Sequence, residues 1–183
     1  MSTFARRFLI TKAVGWREGA SLVAVAWLVP FLVHLVPWGG PRPLGVYLLP
    51  VFWTTFIAVY FYGALPGLAI GLVSPLVNLA LTGLPALSGL GFMGLEVGLF
   101  VAIAAPLVGR WPGFWFAAPL AWAGAKIMAI ALQFLIPLFG YTGDPVSHVV
   151  RSTRNGLAGL AVLAVINVLL VRFYRKADEW EQE

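Results

Sequence analysis

The chain has 183 residues, of which 61% are hydrophobic and only 10% are charged. A soluble domain carries about 25% charged residues, so this composition excludes an ordinary soluble domain and predicts an integral membrane protein. The formal net charge is +5. The basic residues lie mostly in the tails, where membrane topology explains them, so the charge does not indicate nucleic-acid binding. The absence of cysteine excludes disulfides, a thiol nucleophile and a sulfur metal site.

Six apolar segments follow one another along the chain. They cover about residues 19–36, 44–61, 67–81, 89–108, 114–139 and 148–174. Loops rich in glycine, proline and polar residues separate them. Because about 20 residues cross a bilayer, the sequence predicts one all-α domain over residues 1–183, a polytopic bundle of six transmembrane helices.

The distribution of lysine and arginine predicts the orientation. An amphipathic basic stretch, residues 1–18, precedes the first segment and does not have the pattern of a cleavable signal peptide. The basic residues of this stretch, of the 109–113 break and of the C-terminal tail, residues 175–183, outnumber those of the opposite loops. Basic loops stay on the cytoplasmic side, so we expect both termini in the cytoplasm and a multi-pass protein of the inner (plasma) membrane.

Two rows of small residues predict close packing of helices. Gly63, Gly67 and Gly71 recur every four residues, and Gly94, Gly98 and Ala102 do the same in the fourth segment. Small residues at this spacing let helix backbones approach each other in lipid. The alternative is that any apolar chain rich in glycine and alanine contains such rows by chance.

Glu96 and Lys126 are opposite charges, each within its own apolar segment. They lie fourteen residues before and sixteen residues after Arg110, so a tight hairpin at Arg110 would place both roughly 20 Å from the turn. A lone charge at the centre of a bilayer costs at least ~2.5–3.5 kcal/mol. We therefore expect the two side chains to pair or to face a polar cavity.

Other polar residues extend this candidate site toward the outer half of the membrane. Gln133 shares a helix face with Lys126, and the third segment carries Asn78. Two arginines near the outer end of the sixth segment suit a carboxylate or phosphate. The sequence thus predicts an outward pocket for a small polar solute, with aromatic walls from Tyr47, Trp53, Trp122 and Tyr141. The candidate ligand-binding residues are Asn78, Glu96, Lys126, Gln133, Arg151, Arg154 and Asn155.

Each of these residues also has a purely structural interpretation. Arg151 and Arg154 could contact lipid headgroups, and Glu96 with Lys126 could form an ion pair without a ligand. Asn78 and Gln133 could hydrogen-bond a neighbouring helix. There is no Walker-type phosphate loop, no GxSxG elbow and no His–Glu metal spacing, so we expect neither an enzyme nor a bound cofactor or metal.

Several stretches resemble the substrate-binding S components of energy-coupling factor (ECF) vitamin transporters. They are Pro43–Leu44–Gly45, the run from Tyr62 to Gly71, and the positions Pro75, Asn78, Thr82, Gly83 and Pro85. The resemblance implies a subunit that binds a vitamin or vitamin-like solute from outside. It also implies a transmembrane coupling subunit and two ATPase subunits as partners. Ala20 and Ala24, with Ala26 nearby, match the family's AxxxA docking pattern, whereas no vitamin-specific fingerprint is present.

Two other functions stay open. The chain could be a structural scaffold of the cell envelope whose buried charges only fix helix packing. It could also be a small membrane enzyme acting on lipid, which is disfavoured because no nucleophile or metal cluster converges. A binding subunit should show a ligand-sized cavity that reaches Arg154 or Lys126, whereas a scaffold should fill that space with side chains.

Overall fold

The described part of the chain is all helical. The computed structural model describes residues 15–37, 39–40, 44–83, 87–135 and 145–180, and these residues form seven helices and no strand. The helices are α1 (Trp16–Leu35), α2 (Leu44–Leu48), α3 (Pro50–Tyr62), α4 (Ala64–Thr82), α5 (Leu87–Arg110), α6 (Ala117–Leu135) and α7 (Pro145–Trp180). The all-α prediction is therefore confirmed. Residues 1–14 of the basic stretch, the predicted wall residue Tyr141 and residues 181–183 lie outside the described residues.

Four of the helices in the described ranges are long and apolar enough to cross a membrane. The qualifying stretches are Trp16–Val33, Gly89–Arg110, Ala117–Phe134 and Val150–Arg172. Shorter apolar stretches cover Pro50–Tyr62 and Ala64–Ala80. Many large apolar side chains on these helices are exposed, among them Ile127, Phe134, Val150 and Val165. Such surfaces suit contact with lipid, and the count of six spans stays a prediction.

The second predicted segment is broken at Leu49. Leu49 has left-handed backbone angles (φ 54°, ψ 43°), and Pro50 begins the next helix. Proline has no N–H to continue the hydrogen bonds of α2, but its fixed φ suits the first position of α3. A Cβ on Gly159 of α7 would lie 2.6 Å from the carbonyl oxygen of Leu48, so the end of α2 packs directly against the α7 backbone. The prediction of one continuous helix over 44–61 was wrong because it did not weigh this proline.

The turn between α3 and α4 is shorter than predicted. Only Gly63, with φ 93°, separates Tyr62 from Ala64, and glycine reaches such a positive φ without a steric penalty. The predicted segments 44–61 and 67–81 left residues 62–66 between them as a tight turn. Pro66 instead occupies the first turn of α4, where N–H groups have no intrahelical partner and proline is tolerated.

The first glycine row packs closely, as predicted. A Cβ on Gly67 would clash with Val59 of α3, lying 3.2 Å from its backbone nitrogen. A Cβ on Gly71 would clash with Val97 of α5 and lie 2.7 Å from Oγ1 of Thr55. The second row does not pack so closely: no atom of the described residues lies within 4 Å of a Cβ placed on Gly98, and a Cβ on Gly94 would make only an ordinary 3.5 Å contact with Leu72. The first row therefore brings α4 against both α3 and α5.

Side chains from two other helices hold the turn between α5 and α6. The Tyr60 hydroxyl of α3 donates a hydrogen bond to the Pro112 carbonyl at 3.0 Å. Asn167 of α7 is fully buried; its Nδ2 donates to the Phe114 carbonyl at 3.1 Å, and its Oδ1 accepts from the Ala118 N–H at 2.7 Å. The second bond satisfies one of the N–H groups that every helix start leaves without an intrahelical partner. Asn167 was not singled out from the sequence.

We expect Asn167→Leu to lower the unfolding free energy by about 2 kcal/mol, because it leaves the buried Ala118 N–H without a partner and removes one of the two hydrogen bonds that the Phe114 carbonyl accepts. Asn167→Asp keeps the acceptor for Ala118 and removes the donor to Phe114. Unfolding of the purified chain in mixed micelles would measure both changes. A Leu variant as stable as the unmodified protein would show that this cap is energetically neutral.

Candidate functional site

Glu96 and Lys126 form a buried ion pair. Nζ of Lys126 lies 2.6 Å from Oε1 of Glu96, and the Lys126 and Glu96 side chains are only 6% and 8% exposed. The α5–α6 hairpin therefore places both charges at one depth, as the spacing around Arg110 predicted. Of the two outcomes expected from the sequence, pairing is the one observed. Because each charge neutralises the other, neither is buried alone.

Two further side chains complete the surroundings of Lys126. Its Nζ donates a hydrogen bond to Oγ of Ser152, on α7, at 2.8 Å. Its Nζ also lies 5.6 Å from the ring centroid of Trp122, one turn earlier on α6, within the range of a cation–π interaction. Helices α5, α6 and α7 thus meet at one polar centre, which we define as Glu96, Lys126, Ser152 and Trp122.

Trp122 was predicted from the sequence as a wall of the pocket, whereas Ser152 was not predicted. A serine in an apolar helix is common and carries no charge, so nothing about its type marks it as a partner of Lys126. The available signal was its position. Ser152, Gly156, Gly159 and Leu163 lie three or four residues apart on the face by which α7 packs against the rest of the bundle.

The two arginines predicted for the site do not reach the polar centre. Arg151 and Arg154 are both exposed, and Asn155 is half-buried. Arg154 lies two residues from Ser152, which places it about 200° around the helix, on the opposite side. Asn155, three residues after Ser152, lies on the same side of α7 as Ser152. The small residues Gly156 and Gly159 lie on the buried face of α7, and ligand binding by Arg151, Arg154 and Asn155 stays a prediction.

Asn78 and Gln133 are buried, but they do not contact the Lys126 ammonium. Each is 5% exposed, and each has an interaction partner. Gln133 lies seven residues beyond Lys126, about 10 Å along α6, and Asn78 lies on α4. Neither is among the contacts of the Lys126 ammonium, which are Glu96, Ser152 and Trp122.

A small apolar crevice lies between α1 and α4. Its walls are Ala26, Trp27, Ile70, Val73 and Ser74, and it has no room for a water molecule. None of the predicted ligand-binding residues touches it. This crevice is therefore not the ligand-sized cavity expected at Lys126 or Arg154.

The predicted docking residues lie on the outward face of α1. Ala20 and Ala24 are exposed, whereas Ala26 is buried against Ala58 and Ile70. The hydroxyl of Ser74 donates a 2.8 Å hydrogen bond to the Ala26 carbonyl. Ala20 and Ala24 are thus accessible to a partner, while Ala26 serves the packing of α1.

Within the described ranges, no group of three or more His, Cys, Asp or Glu side chains could hold a metal ion. No protein-family model, curated protein or solved structure matches the chain. Its function must therefore be inferred from the helices and the polar centre.

Proposed function

We propose that the chain is a multi-pass membrane subunit that binds a small polar solute. The observation that supports this most is the polar centre, to which three apolar helices each send a polar side chain: Glu96, Lys126 and Ser152. Ionisable residues at membrane depth are costly and generally mark solute or ion pathways. In this proposal Lys126 and Glu96 organise the binding region, while Asn78 and Gln133 line its approach.

The resemblance to ECF S components indicates the type of importer to which this subunit would belong. The solute would be a vitamin or vitamin-like molecule, captured outside the plasma membrane. The chain would have six spans and cytoplasmic termini. A coupling subunit would dock at Ala20 and Ala24, and two ATPase subunits would supply the energy of ATP hydrolysis. Both alanines are exposed on α1, as such docking requires.

A structural scaffold is the second candidate, and one observation favours it. The Lys126 ammonium already has Glu96, Ser152 and the Trp122 ring as partners. A charge pair that is satisfied within the protein needs no solute. In this case the polar centre would only fix the relative positions of α5, α6 and α7.

Thermal unfolding of the purified chain against a panel of water-soluble vitamins separates the two candidates. A ligand that binds only the folded state should stabilise it by about 2.7 kcal/mol at a hundredfold excess over its Kd, and so raise the midpoint. A midpoint that rises with the concentration of one vitamin supports the binding subunit. If no vitamin shifts it, and no ATPase co-purifies with the chain, the scaffold is favoured.

A further inference from the structure

Among the described residues, the indole N–H of Trp122 has no hydrogen-bond acceptor. Trp122 is 3% exposed, and its Nε1 is buried without a partner among the described residues. Burying a donor in this way costs free energy, because the donor loses its hydrogen bond to water. The hydrocarbon of a membrane supplies no replacement. The position is therefore suited to an acceptor that comes from outside the protein.

A second donor lies on the neighbouring helix. Oγ of Ser152 accepts from Lys126, which leaves the serine's own hydroxyl hydrogen available to donate. One turn further along α7, Gly156 lies against the indole: a Cβ there would lie 3.4 Å from Cζ2 of Trp122, on the side of the ring that carries Nε1, and 3.1 Å from Cδ1 of Leu49. Because Gly156 has no side chain, the α7 backbone, and with it Ser152 one turn earlier, comes close to the N–H edge of Trp122.

The charge of the polar centre restricts what the two donors can bind. Glu96 and Lys126 neutralise each other at 2.6 Å, so a charged solute would bring an uncompensated charge into a buried place, which is unfavourable. The two arginines that could have neutralised a carboxylate or phosphate are exposed, and Arg154 lies on the far side of α7 from Ser152. These observations favour a neutral acceptor over an anion.

We propose that the polar centre binds a small neutral solute through a carbonyl oxygen, which accepts hydrogen bonds from Nε1 of Trp122 and from the Ser152 hydroxyl. This inference rests on the proposed solute-binding function and narrows its solute class. The arginine pair alone had suggested a carboxylate or a phosphate. The buried donors instead select an amide, lactam or urea-like group.

Three probes that share one ring test this assignment: benzamide, benzoate and benzylamine, which are neutral, anionic and cationic. Saturation-transfer NMR on the full purified chain at millimolar probe concentration would measure their relative affinities. We expect benzamide to bind about tenfold more tightly than either charged probe. Equal binding of all three, a preference for benzoate, or no binding of any would overturn the proposal.

A pair of matched variants tests the role of Trp122. Trp122→Phe removes the N–H and keeps an aromatic face for Lys126, and we expect it to weaken benzamide binding about tenfold. Trp27→Phe removes another buried N–H without a described partner, in the α1–α4 crevice, and should leave binding unchanged. Equal affinity in the two variants would refute the assignment. If a charged vitamin stabilises the chain in the thermal assay, the proposed function survives and this inference fails.

Discussion

Lys126→Met is expected to lower the unfolding free energy by about 3–5 kcal/mol, because it leaves the Glu96 carboxylate buried without a counter-charge. The wild-type pair is short and almost completely shielded from solvent. Oγ of Ser152 would also lose the hydrogen bond that it accepts from Nζ of Lys126. Equilibrium unfolding in mixed micelles, followed by fluorescence, would measure the change. Ile127→Met is the matched control, since Ile127 is exposed on the same helix and should change stability by less than about 0.5 kcal/mol.

The double variant Glu96→Leu/Lys126→Met shows whether the loss of stability comes from leaving one charge buried alone or from the absence of the ion pair itself. Replacing both members of a buried ion pair by apolar residues is often neutral or stabilising. We therefore expect the double variant to recover most of the stability that Lys126→Met loses. The double-mutant cycle gives the coupling energy directly. Additive effects of the two single variants would mean that the pair does not act as a unit.

The double variant also distinguishes the two candidate functions. If the polar centre binds a solute, this variant should fold and yet fail to respond to a vitamin that stabilises the unmodified chain. If the centre only fixes helix packing, the variant should keep every measurable property. Stability and solute response thus report on different roles of the same two residues.

The sequence was most informative where burial of a residue is costly. A charge inside an apolar segment is tolerated only with compensation, so Glu96 and Lys126 could be predicted to pair or to face a polar cavity, although the sequence did not distinguish the two. The same holds for the first glycine row, since a repeat of three glycines on one helix face offers a surface that larger residues would block. Helical class followed from the apolar segments, which hold no alternating strand pattern.

The sequence was least informative where the tertiary packing decides. Ser152 and Asn167 are common polar residues, and only the buried face of α7 shows that they point inward. That face is set by the close approach of Gly159 to the Leu48 carbonyl, which in turn depends on the helix break at Leu49. The orientation of Arg154 follows from the same contact. The local sequence pattern of α7 could not show which of its faces is buried, because that face depends on a break in another helix.

Gly71→Ala is expected to destabilise the fold by about 3 kcal/mol, the upper end of the range for overpacking a core. Its new methyl group would meet Val97 of α5 and lie 2.7 Å from Oγ1 of Thr55, on α3. Neither neighbour can yield easily. Val97 and Thr55 are both fully buried, and the Thr55 hydroxyl donates to the Val51 carbonyl at 2.7 Å. Unfolding in mixed micelles would again measure the loss.

Gly98→Ala is the control for this substitution and should have the opposite sign. No atom in the described part of the chain lies within 4 Å of a Cβ at Gly98, so the methyl group meets none of these residues. Alanine also favours a helix over glycine by about 1 kcal/mol. A loss of stability in both variants would show that any added methyl group is harmful here. A loss of stability in Gly71→Ala together with a gain in Gly98→Ala would establish that α5 packs closely against α4 at Gly71.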